Sequence, residues 1–123
     1  MTGSKLVDSS VWIAYLTKNK FGEVIDNEQS LFLSAISLFE IRKKFLKDKI
    51  PKAEVNDKIN FVKSKSIILP VTDKIAENAA EISVENEIPS ADSIIYATAL
   101  VNNIKLVTLD NDFRGLKDVE ILD

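Results

Sequence analysis

Short apolar runs alternate with longer stretches of helical spacing along the whole chain, and few folds satisfy that alternation. The runs are residues 6–7, 31–33, 66–69, 104–109 and 119–122. Each is short for a helix and most are flanked by Ser, Asp, Pro or Asn, as buried strands are. Between them, apolar residues recur every three to four positions, the pattern of a helix with one buried face. Strands alternating with helices build βαβ units, so the fold class is α/β. A mainly parallel sheet of four to five strands, covered on both faces, is expected.

The helical stretches follow from caps and stripes. Ser9 or Ser10 reads as the cap of a helix over 11–16, with a polar break at 17–20 and a short helix over 21–29. Ser34 or Ala35 opens a helix to about Lys49. Leu38, Ile41 and Phe45 form its inward stripe, widened by Phe39 and Leu46; Arg42 falls amid that stripe and Glu40 off it. Pro51 suits the first turn of a helix to about Lys65, with Val55, Ile59 and Val62 inward. Thr72 caps the next helix, which breaks at 86–89. Ser90 then caps a helix over 91–102 that is apolar nearly all round and therefore expected to be buried. The 123 residues, 46% of them hydrophobic, fit one domain spanning 1–123, without repeat or linker. No apolar run approaches the ~20 residues that span a bilayer, and no signal peptide is evident, so a soluble cytoplasmic chain is expected.

The chain has no cysteine and no histidine. Disulfides, thiolate zinc, a histidine-dependent triad and a histidine general base are all excluded. What remains is chemistry on carboxylates, hydroxyls, Lys, Arg, Tyr, or a metal held by oxygen, for which Mg²⁺ or Mn²⁺ is suited. A net charge of −3 argues against a broadly basic nucleic-acid coat but allows a basic rim around an acidic pocket.

Several carboxylates stand where such a pocket would form. In an open parallel sheet, ligands bind beyond the carboxyl ends of the strands. Asp8 ends the first run and Asp110 the fourth, with Asp112 two residues on. Asp92 lies in the first turn of the apolar helix before the fourth run, and Glu40 about two turns into the helix after the second. Each acid also has an ordinary use: Asp8 as a cap, Asp92 as a charge at a helix amino terminus, Asp110 and Asp112 as turn residues, Glu40 as a partner for Lys44. Convergence on one sheet edge would be costly unless a divalent cation neutralised them, and a cation so held supports phosphodiester hydrolysis.

Four segments in order resemble the PIN-domain family, especially the VapC-type toxins of toxin–antitoxin pairs. They are Val7-Asp8-Ser9-Ser10-Val11-Trp12, Ser37-Leu38-Phe39-Glu40, the stretch 90–99 around Asp92, and the stretch 105–113 around Asp110. The resemblance covers essentially the whole chain. It implies a three-layer α/β/α sandwich and a metal-dependent endoribonuclease. Asp8, Glu40, Asp92 and Asp110 match the catalytic, metal-binding acids, Asp112 a less uniform further one, and Ser9 and Thr108 hydroxyls beside the site. Ser93 stands where the family more often has alanine. The resemblance also implies an RNA substrate, a homodimer and a cognate antitoxin protein. Arg114, just after the acidic loop, is a candidate phosphate contact, ahead of Lys43, Lys44, Lys47 and Lys49. Two other readings stay open: a PIN nuclease of RNA processing without an antitoxin, and a non-catalytic receiver-like signalling domain. The second lacks the expected acid after the middle strand, where Pro70 follows Leu69, and has no suitably placed lysine.

Overall fold

The computed structural model describes residues 3–27 and 30–123. Five strands, β1 (Lys5–Val7), β2 (Leu31–Ser34), β3 (Ser66–Leu69), β4 (Lys105–Thr108) and β5 (Val119–Ile121), form one sheet in the order β3-β2-β1-β4-β5. Every pairing is parallel. Six helices connect them among the described residues: α1 (Ser9–Lys18), α2 (Gly22–Ile25), α3 (Ala35–Lys47), α4 (Lys52–Lys65), α5 (Asp73–Asn86) and α6 (Ser90–Val101). A 3-10 turn, Asn111–Phe113, follows β4.

Side-chain alternation along the strands divides the core between two faces. Val7 and Val107 join Val11, Trp12, Ile41, Phe45, Val55 and Val62 on the α1–α3–α4 side. Leu6 and Leu106 join Ile95, Tyr96, Ala99 and Phe113 on the α6 side. Helix α6 is buried on two sides, since Ala97 also packs against Ile75 and Ala79 of α5. Its apolar surround follows from this position.

The chain winds outward from β1 to β2 and β3, then crosses to the other side of β1 for β4 and β5. The reversal between β1 and β4 is a topological switch point, where connections leave the sheet in opposite directions and open a crevice. Asp8 and Asp110 flank it. A receiver-like domain, with strand order 2-1-3-4-5, has a different winding; here β3 is an edge strand and carries no acid at its end.

Some expected boundaries move for local reasons. Helix α1 begins at Ser9 rather than near Val11, because Asp8 is its cap and accepts from the Ser9 amide. Ser90 is the first residue of α6 and not its cap; extended Pro89 precedes it and no side chain closes that end. Helix α2 is shorter than the expected 21–29, and Glu28 and Gln29 of that stretch lie outside the described residues. The stripe of α3 is narrower than expected. It buries Ser37, Ile41 and Phe45, four residues apart, while Phe39 and Leu46 remain 60% and 45% exposed. Both lie well round the helix from that stripe at about 100° per residue. No helix among the described residues is long and apolar enough to cross a membrane.

Candidate active site

Three short connections bring the acids to one edge of the sheet. β1 passes into α1 through Asp8 alone, and the Asp8 amide donates to Val107 O of β4 at 2.9 Å. β2 passes into α3 with no intervening loop, its last residue Ser34 capping the helix, so Glu40 rises from the same edge. After Thr108 and Leu109, Asp110 accepts from the Asp112 amide at 2.9 Å, which opens the 3-10 turn and turns Asp112 back. Helix α6 ends shortly before β4 begins and starts near the end of that strand, which brings Asp92 in its first turn to the edge.

The acids fall into two groups. Carboxylate oxygens of Asp92, Asp110 and Asp112 lie within 4.8 Å of one another, close enough to share one cation. Asp8 and Glu40 lie outside that trio and are joined by Ser9, whose Oγ donates to Glu40 Oε1 at 2.9 Å and whose amide donates to Asp8 Oδ1 at 2.8 Å. Thr108 Oγ1 and Ser10 Oγ donate to Asp8 Oδ2 at 2.7 and 2.9 Å. Glu40 is therefore not the partner of Lys44, which instead pairs with Asp48 at 3.2 Å. Arg42 donates to Asn56 Oδ1, and Arg114 to Asn111 Oδ1, at 2.7 Å each. Arg114 thus stays tethered to the loop that bears Asp110 and Asp112.

The electrostatics bind the two groups together. Burial raises the Asp8 carboxyl above its ordinary range, and the charge of Asp110 adds to this, against the hydrogen bonds from Thr108, Ser10 and Ser9. Burial likewise raises Glu40, with the charges of Asp8 and Asp110 adding and the Ser9 bond opposing. Asp92 is pushed up to about 7, first by burial and then by the charges of Asp110, Asp8, Glu40 and Asp112. Among the described residues no lysine or arginine forms an ion pair with any of the five acids.

Asp92 gives this arrangement a measurable pH signature. Its ordinary value is 3.8, so between about pH 4 and 7 the folded chain keeps a proton that the unfolded chain has released. The stabilisation is complete below about pH 4 and is lost as pH rises through about 7. In metal-free buffer, Asp92→Asn should match the parent near pH 4 and melt roughly 5 °C higher near pH 8, where a shift of that order corresponds to about 1 kcal/mol. Adding Mg²⁺ should close the gap by raising the parent. Parallel melting curves from pH 4 to 8 would show that neither burial nor the neighbouring acids raise Asp92.

The acids sit at the carboxyl edge of the sheet, apart from the groove between α5 and α6. That groove, lined by Lys74, Asn78, Ile82 and Leu100 among others, contains none of them. Ser10 is the one residue in this network that reasoning from sequence used only as a helix cap. Its signal was a hydroxyl two residues after a strand-end acid.

The fold and the acidic edge together define a PIN domain. The chain belongs to that family, whose profile matches residues 5–119. No match is found among curated proteins. Among solved structures, a toxin–antitoxin complex from Klebsiella pneumoniae is 21% identical, with 94% of this chain and 95% of that one covered at a TM-score of 0.80. VapBC2 from Rickettsia felis, bound to a DNA fragment from its promoter, is 20% identical with 98% and 99% covered, also at 0.80. VapC20 of Mycobacterium tuberculosis, a toxin that cleaves the sarcin–ricin loop, is 20% identical with 97% and 99% covered at 0.74. At these identities the likeness is one of fold.

Proposed function

We propose that this chain is a Mg²⁺- or Mn²⁺-dependent endoribonuclease and the toxin of a VapBC-type toxin–antitoxin pair. One observation carries the proposal: Asp92, Asp110 and Asp112 converge, unneutralised by any cationic side chain among the described residues, beside the Asp8–Ser9–Glu40 chain. The donor set is all oxygen, which hard divalent cations prefer, and a bound cation would relieve the mutual repulsion. When bound, such an ion polarises a phosphoryl oxygen and lowers the pKa of an attacking water.

The protein's own groups supply the rest. Asp92, Asp110 and Asp112 would hold the ion together with Asp8, and Glu40 would complete the acidic wall. Three donors fix Asp8 in place. The Ser9 hydroxyl engages Oε1 of Glu40, leaving Oε2 to take a proton from the attacking water. Arg114, at the rim, offers its charge to an RNA phosphate. A cognate antitoxin and a homodimer are the partners proposed, in keeping with neighbours that were crystallised as toxin–antitoxin complexes.

Purified chain should cut RNA when Mg²⁺ or Mn²⁺ is added and stop when EDTA is added. Expression should arrest a host, and co-expression of the adjacent gene should relieve the arrest. Relief separates a toxin from a PIN nuclease of RNA processing. Cleavage that persists in EDTA would overturn the metal-dependent assignment.

A further inference from the structure

Two hydroxyls aim their protons at one oxygen of Asp8. Thr108 Oγ1 and Ser10 Oγ both donate to Oδ2, at 2.7 and 2.9 Å. Each hydroxyl is itself engaged by a backbone amide. The Asp110 N–H donates to Thr108 Oγ1 at 3.0 Å, and the Leu109 N–H donates to Ser10 Oγ at 3.1 Å. A hydroxyl has one proton to give. With an amide proton on the acceptor side, its own hydrogen turns the other way, toward Asp8. Oδ2 is thus filled by two donors. Oδ1 takes one short bond, from the Ser9 amide at 2.8 Å, because the Ser9 hydroxyl lies 3.5 Å away and its proton goes to Glu40. One oxygen of Asp8 is saturated and the other keeps a spare lone pair.

We infer that Ser10 is a positioning residue that holds Asp8 as a one-oxygen ligand, and so selects a small octahedral cation over a larger one. The inference rests on the metal-dependent function proposed above. Mg²⁺ requires near-ideal octahedral geometry at about 2.0–2.1 Å, whereas Ca²⁺ accepts six to eight oxygens, often both from one carboxylate. A carboxylate whose second oxygen is occupied by two hydroxyl protons does not chelate through both. Removing the Ser10 hydroxyl frees a lone pair on Oδ2 and loosens the tie between the first turn of α1 and Leu109. Asp8 is then less rigidly placed against the loop carrying Asp110 and Asp112, which penalises the ion with the stricter geometry more.

The experiment is calorimetric titration of the full chain with MgCl₂ and, separately, CaCl₂. The parent is compared with Ser10→Ala, Ser10→Thr and Thr108→Val, with folding checked by circular dichroism. Ser10→Ala should weaken Mg²⁺ binding roughly 10- to 100-fold, the range for removing an outer partner of a metal ligand. It should weaken Ca²⁺ less, so that the Mg²⁺-to-Ca²⁺ preference falls about tenfold. Ser10→Thr, which keeps the hydroxyl, should retain the preference. Thr108→Val removes the other donor to Oδ2, should shift the preference in the same direction, and decides the matter if Ser10→Ala does not fold. A merely structural Ser10 would weaken both cations alike, and an unchanged preference overturns the inference while the nuclease assignment stands. A folded parent chain that binds neither cation overturns that assignment, and the inference with it.

Discussion

Asp8→Asn is expected to lower RNA cleavage by more than about a hundredfold, with the melting point kept within a few degrees at neutral pH. The first figure exceeds the upper range for removing an outer partner of a metal ligand, because Asp8 is itself proposed as a ligand. The second follows from the environment of the carboxylate. Asp8 is 4% exposed, and burial together with the Asp110 charge raises its proton affinity, so folding favours its neutral form more than the unfolded chain does. Asparagine is neutral and nearly the same shape, so it escapes the burial penalty. Its oxygen can still take the Ser9 amide, while its amide nitrogen faces the Thr108 and Ser10 hydroxyls and sets the loss of those two bonds against that gain. Initial rates on a fluorescent RNA and melting curves of the same preparation give both readouts. Full activity in a folded Asp8→Asn chain would remove Asp8 from the mechanism. A melting point several degrees lower would instead show that its charged hydrogen bonds outweigh its burial.

Phe113→Ala is expected to cost about 3–5 kcal/mol of folding stability, the range for truncating a buried aromatic side chain. It should also weaken Mg²⁺ binding in whatever fraction remains folded. Phe113 is fully buried in the cluster with Leu6, Ile95, Tyr96 and Leu106, its ring centroid 6.4 Å from that of Tyr96. Tyr96 in turn donates its hydroxyl proton to Lys117 O at 2.7 Å, which ties α6 to the segment leading into β5. Phe113 immediately follows Asp112 and lies three residues after Asp110, so the side chain that fills this core also anchors the acidic loop. Phe113→Leu, which keeps most of the volume, should retain much of the stability. Trp12→Ala makes the useful control. It opens a comparable hole on the opposite face of the sheet, against Tyr15 and Phe61, and should destabilise similarly with less effect on Mg²⁺. Urea denaturation with and without Mg²⁺ separates the two effects. Equal metal affinity in the folded fractions of both variants would show that the loop holds its shape without Phe113.

Much of this arrangement was legible in the sequence because strands and helices leave local marks. A strand-end acid such as Asp8 or Asp110 announces itself by the apolar run before it. The inward stripe of α4 shows in the spacing of Val55, Ile59 and Val62. Thr72 caps α5 as its position implies, accepting from the Ile75 amide at 3.2 Å. What stayed hidden depends on residues far apart in the chain. The Ser9–Glu40 bond spans 31 residues and the contact between the Ser10 and Thr108 hydroxyls spans 98. Periodicity carries no information about which distant side chain a hydroxyl will meet. The division of the acids into a trio and a separate pair was hidden for the same reason. It depends on how far the 3-10 turn swings Asp112 back, and on which partners claim Asp8 first. The exposure of Phe39 and Leu46 was obscured differently. Hydrophobicity alone widened the stripe of α3, whereas the width buried is set by the neighbours that happen to cover it.

The winding of the sheet has a consequence for timing during synthesis. Asp8 and Thr108, bonded across 100 residues, sit on strands that become neighbours only when β4 joins the far side of β1. A ribosome delivers β1, β2 and β3 well before β4, and at about 5–20 residues per second the interval between Asp8 and Asp112 lasts several seconds. Throughout that interval the emerging chain holds a partial set of acids with no fourth strand to close it. A chain cut before β4 therefore carries no complete site, and any activity of the acidic edge begins only once Asp112 has emerged and β4 has docked beside β1.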